Sequence, residues 1–132
     1  MNHNQTQLDD ETEVNAELIQ QLNQGIAISQ WIQFIGQLTE GIYLTKLVKL
    51  QPTSKGELNE LIGQWIQTIG QGIETVGATT QVLTKEQSLL VEAKVQGIIG
   101  DTLQALGNAV QVVANKELLV EELRANLEHY MQ

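Results

Sequence analysis

Five acids, Asp9, Asp10, Glu11, Glu13 and Glu17, fall close together with no base among them, a density that could hold a divalent cation. A calcium loop needs alternating Asp or Asn ligands, a loop glycine and a closing Glu, and this run has no such pattern. Carboxylates also favour the positive end of a helix macrodipole, so the cluster reads as a solvated helix start. General acid–base chemistry needs two titratable groups on one substrate. In the middle of the chain acids occur singly: Glu40 is the only charge between Leu18 and Thr45, Glu74 between Leu61 and Thr84, and Asp101 between Val95 and Asn115. Glu40 and Glu74 occupy matching positions, and only folding could bring them together. His3 and His129 have no second ligand at helical spacing. Nucleophile elbows, zinc-protease helices, phosphate loops and dinucleotide fingerprints are absent from the sequence, as is cysteine. We therefore expect no enzyme activity, metal or cofactor, and no small-molecule substrate is identifiable. Trp31 and Trp65 are candidates for an interface, as large apolar fillers ahead of ligand platforms.

Both tryptophans lie in a repeated element. Gln30-Trp31-Ile32-Gln33-Phe34-Ile35-Gly36-Gln37 returns at Gln64 to Gln71 with one change, and a looser copy runs from Asp101 to Asn108. The offsets of 34 and 37 residues suit a helical unit used three times. These copies, with Gly100-Asp101-Thr102-Leu103-Gln104-Ala105-Leu106-Gly107-Asn108, resemble the short unit of uncharacterised repetitive helical proteins from low-GC Gram-positive bacteria. That resemblance implies a helical repeat protein of bacterial type and no known activity.

Apolar spacing predicts helices throughout. Leu18, Leu22, Ile28, Ile32, Ile35 and Ile42 slip phase near Gly25, which leaves room for a kink or break there, while the expected breaks are near Gln51 to Ser54 and near Thr84. Gln51-Pro52-Thr53-Ser54 is the clearest turn, and Ser54 with Glu57 reads as a capping box opening the second helix. Thr84 with Gln87 reads as a second such box. Asn115 begins a charged segment with a new phase, which predicts a short or kinked C-terminal helix over 116–131.

Ile62, Ile66, Ile69, Ile73 and Val76 alternate at four and three residues, as do Ile99, Leu103, Leu106, Val110 and Val113. Such a seam is expected to face a partner helix. Directly after seam residues stand Gly63, Gly70 and Gly77, with Gly100 and Gly107 in the third copy and Gly36 in the first. A glycine inside a helix costs about 0.5–1 kcal/mol relative to alanine, and close approach of a neighbouring helix is the physical compensation. These six are the expected helix-packing residues.

The resulting expectation is all-α: an antiparallel bundle of three long glycine-containing helices plus a short or kinked C-terminal helix. Residues 1–8 form a disordered tail, and 9–132 form one domain with repeats at about 18–50, 54–83 and 85–115. A net charge of −9 disfavours nucleic acid, whose binding needs Lys and Arg against phosphate. Glutamine-rich, charge-poor faces can be buried without desolvating charge, so a structural or protein-interaction role is expected, with a homo-oligomer or a helical protein as partner. The alternative is an amphipathic membrane-surface protein, although such helices usually carry bases on the polar face. A cytoplasmic location is expected, from a chain without an apolar run of spanning length or a leader-like start.

Overall fold

The computed structural model describes residues 3–132 as three α-helices. Helix α1 runs His3–Leu50, α2 Lys55–Leu83 and α3 Gln87–Met131. No strand occurs among the described residues. Helix α2 packs against both others, the α2·α3 contact being the more extensive, while α1 and α3 do not pack against each other. The described residues thus form a layer with α2 in the middle.

Local chemistry sets the joints. Helix α1 stops at Leu50 because Pro52 disfavours helical geometry in Gln51. Ser54 then caps α2: its hydroxyl accepts from the Glu57 N–H at 3.2 Å, and its own N–H donates to Glu57 Oε2 at 2.9 Å. The second joint differs from expectation. Thr84 is the C-cap of α2, its N–H donating to the Thr80 carbonyl, and its hydroxyl accepts from the Glu86 N–H instead of capping α3. Glu86 is the N-cap of α3 and makes no side-chain cap bond.

Three further places bear on the sequence pattern. Of the short or kinked C-terminal helix expected over 116–131, the separate form is not found: Asn115 lies inside α3, which runs unbroken to Met131 and whose inner turns are held by packing on α2. The phase slip at Gly25 leaves no break in α1. Residues 3–8 of the expected tail are helical, and all exposed; Met1 and Asn2 lie outside the described residues.

The helices differ in length, at 48, 29 and 45 residues, or about 72, 44 and 68 Å at 1.5 Å per residue. Helix α2 therefore cannot cover its neighbours. Every residue in 3–26 and in 119–132 is exposed, so α1 projects beyond one end of α2 and α3 beyond the other.

Candidate functional site

The α2·α3 contact is built on glycine. A Cβ added to Gly63 would lie 2.8 Å from the Gly107 carbonyl oxygen, one on Gly70 2.6 Å from that of Gly100, and one on Gly77 2.8 Å from that of Ala93. Seen from α3, Gly100 meets the Gly70 carbonyl and Gly107 the Gly63 carbonyl, each at 2.7 Å. Numbers fall on one helix as they rise on the other, so the two run in opposite directions. The obstructing atoms are backbone and cannot step aside. Ala93 and Ala114, both fully buried, extend the seven-residue row at either end of α3. Gly36 is not brought to any neighbour: a Cβ there meets nothing within 4 Å, and the same holds at Gly25 and Gly97. In α1 the contact glycine is Gly41, 3.4 Å from the Trp65 ring by the same measure. It has no glycine counterpart in the other copies, since Thr75 stands at the matching place, so the repeat alignment could not single it out.

The α1·α2 contact is built on amides and hydroxyls. Gln64, Thr68, Gln71 and Thr75 are the buried polar side chains. Gln64 Nε2 donates to the Gln37 carbonyl at 3.0 Å, Thr75 to the Gln30 carbonyl at 3.2 Å, and Gln71 Nε2 to the Gln30 side-chain oxygen. Two residues of α2 reach both neighbours. Glu74 accepts from Gln30 at 2.8 Å and from Gln104, and Gln64 Oε1 accepts from Gln111 at 3.0 Å while its amide holds α1. Glu40 is exposed, so the matched carboxylates have different surroundings and make no acid–base pair here. The side-chain oxygens of Gln37 and Gln96 are buried without a hydrogen-bond partner.

The tryptophans make matched bonds. Trp31 Nε1 donates to Thr79 Oγ1 at 2.9 Å, and Trp65 Nε1 to Thr45 Oγ1 at 3.1 Å. Thr45 and Thr79 are separated by the same 34 residues as Trp31 and Trp65. Each copy thus gives one tryptophan and receives one, a pseudo-two-fold arrangement of α1 on α2.

Sequence spacing misplaced the isoleucine seam. Ile62, Ile69 and Val76 stand one residue before Gly63, Gly70 and Gly77, whereas Gln64 and Gln71 stand one after. At 100° per residue those neighbours lie on opposite flanks of the α3-facing row. On α3, Ile99, Leu106 and Val113 precede the small residues, and Asp101, Asn108 and Asn115 follow them. Because the helices are antiparallel about the glycine contacts, both preceding rows share one side of the layer. All six apolar residues are between 46 % and 56 % exposed. They were expected inside a contact that glycine occupies instead. The α1 side of this face carries Trp31 and Phe34, ring centroids 6.1 Å apart and edge-on. With Trp65, Ile69, Val76 and Gln96 they line an open groove of about 540 Å³.

Among the described residues, no group of three or more His, Asp or Glu is placed to hold a metal ion. No helix there is long and apolar enough to cross a membrane. His129 is exposed, edge-on to Tyr130. A family model, that of the family of unknown function DUF6944, matches residues 58–129, more than half the chain and centred on α2 and α3. No curated protein and no solved structure matches the chain.

Proposed function

The chain belongs to that family, and we propose that it is a structural, protein-interaction protein that associates with itself through the apolar face of its layer. One observation carries the reading: the layer has two unlike sides, one crossed by the Gln30–Glu74–Gln104 and Gln64–Gln111 bonds, the other a sheet of half-exposed Ile, Leu and Val. Exposed apolar patches of this extent mark contact surfaces. Area points the same way. The chain exposes 9819 Å², against about 6,900 Å² for a compact protein of its mass. The excess of roughly 2,900 Å² is shared between the projecting ends of α1 and α3 and this face, and it leaves room for the ~800 Å² per partner of a standard stable interface.

The assembly is an antiparallel helical bundle completed by a second copy laid face to face, and it has no catalytic role. A membrane surface would also cover apolar groups, but no base stands in either exposed row, where anionic lipid would select for them. The acidic, cysteine-free composition fits a cytoplasmic setting. Light scattering across a concentration series tests the proposal. The native chain should reach at least twice its monomer mass, and Ile69→Glu with Leu106→Glu should return it to the monomer with its helix content intact. Asn108→Glu, on the other side, should change nothing. A native chain that stays monomeric, or a double variant that still associates, overturns the reading.

A further inference from the structure

The groove that Trp31, Phe34 and Trp65 line is a hollow within one chain. Gly72 is part of its lining, at the place where the first copy has Leu38. A Cβ on Gly72 would stand 3.0 Å from the Phe34 ring and would meet no backbone of a neighbouring helix. Helix approach, which accounts for Gly63, Gly70 and Gly77, therefore does not account for this glycine; room for a ring does. The aromatic wall is held in place without help from outside. Trp31 and Trp65 are each tied by their N–H to a threonine across the α1·α2 contact, and Trp31 stands edge-on to Phe34. Polar groups in the lining are few, and none is charged. The indole N–H groups are spent on Thr79 and Thr45, and the Thr68 hydroxyl donates to the Gln64 carbonyl at 2.8 Å. Gln96, from α3, differs: its side-chain oxygen is buried with no hydrogen-bond partner. Leaving a buried acceptor unmade is costly. The last torsion of a glutamine turns easily, so this oxygen can meet a donor brought in by whatever fills the hollow.

We propose that this groove binds a small, neutral aromatic molecule carrying one N–H or O–H donor, of the indole or phenol class, with its ring against Trp31, Phe34 and Trp65 and its donor on Gln96 Oε1. Three observations fix that chemistry. Three rings line one hollow, and aromatic rings favour edge-on and offset contacts with one another. A lining without charge selects a neutral molecule. The single unmet polar group is an acceptor, so the molecule must supply a donor. Size agrees, since about 540 Å³ lies within the range of roughly 300–1,000 Å³ of small-molecule sites, which are likewise apolar with few polar groups. The hollow needs only one chain, so the proposal does not rest on the association of copies. Ile69 and Val76 belong to both surfaces, and the test is therefore made on single chains.

Titration of the native full chain, at concentrations where light scattering finds single chains, tests this with indole as the probe and 1-methylindole, which lacks the donor, as the control. Ligand-detected magnetic resonance gives both affinities. Indole should saturate one site and bind about five- to tenfold tighter than 1-methylindole, the loss expected for one neutral hydrogen bond. Gln96→Met should bring indole down to the level of 1-methylindole and leave the control unchanged. A purely structural role for Gln96 would weaken both probes alike. Gly72→Leu, which fills the hollow, should abolish both with helix content intact. The absence of saturable indole binding overturns the proposal, as does equal affinity for the two probes or a preference that survives Gln96→Met. Indole binding confined to the associated chain overturns it as well, because the site would then need a second copy. A chain that associates without binding indole keeps the face reading and loses this one. Binding by a chain that never associates supports the groove and removes the face.

Discussion

Gly70 and Gly100 stand so close that a methyl group on either would sit 2.6 or 2.7 Å from the other's carbonyl oxygen. Helix propensity favours alanine over glycine, and here the contact opposes it. Gly70→Ala should therefore destabilise by about 1–3 kcal/mol despite the better helix former. Gly97→Ala, where the new Cβ meets nothing within 4 Å, should stabilise by about 0.5–1 kcal/mol. Denaturant midpoints at equal slope measure both. Equal shifts of the same sign would mean that the α2·α3 approach is looser than its geometry.

Glu74 accepts one amide from α1 and one from α3. Hydrogen bonds to a charged acceptor are the stronger kind, so Glu74→Ala should cost about 1–3 kcal/mol. In a double-mutant cycle with Gln104→Ala the two changes should couple by about 0.5 kcal/mol or more. Additive effects would show that the bridge carries no energy.

Trp31 is 42 % exposed on the apolar face, whereas Trp65 is more enclosed. In Trp65→Phe the remaining indole reports on that face alone. Its emission should move to the blue and its acrylamide quenching fall as concentration rises. Spectra independent of concentration would place Trp31 outside any contact between copies.

Backbone amides in 3–26 and 119–131 belong to helix in which every residue is exposed, and helix with little packing is marginal in water. At concentrations low enough for single chains, hydrogen exchange there should be fast, with slow exchange confined to the turns that flank Gly63, Gly70, Gly100 and Gly107. Protection of 8–26 that grows with concentration would locate an intermolecular contact on α1.

Local signals were legible in the sequence, and long-range ones less so. Pro52 and the Ser54–Glu57 pair act over four residues, so the first joint could be read directly. The glycine row was legible because a seven-residue period survives any choice of partner. Which side of that row faces inward was not, because the usual rule buries isoleucine, and here glycine, glutamine and threonine lie in the contacts while Ile62, Ile69 and Val76 stay half out. Gly36 failed for a related reason. Repeat copies share sequence without sharing neighbours: α2 has a helix on each side, α1 on only one, so equivalent positions need not be equivalent in space. Asn115 looked like a cap because charge returns there, yet capping preference is weak beside the packing of the preceding turns of α3.

The reciprocal bonds of Trp31 to Thr79 and of Trp65 to Thr45 bear on how such a chain could arise. One unit holds both the donor and the acceptor of this contact, so a lone helix of the same sequence could dock on its own twin. Duplication of its gene in tandem would then join two strangers into one polypeptide without inventing a new interface, trading a dependence on concentration for a short Pro52 turn. A chain with such an ancestry would keep, on whichever copies lack a neighbour, surfaces first shaped for meeting themselves.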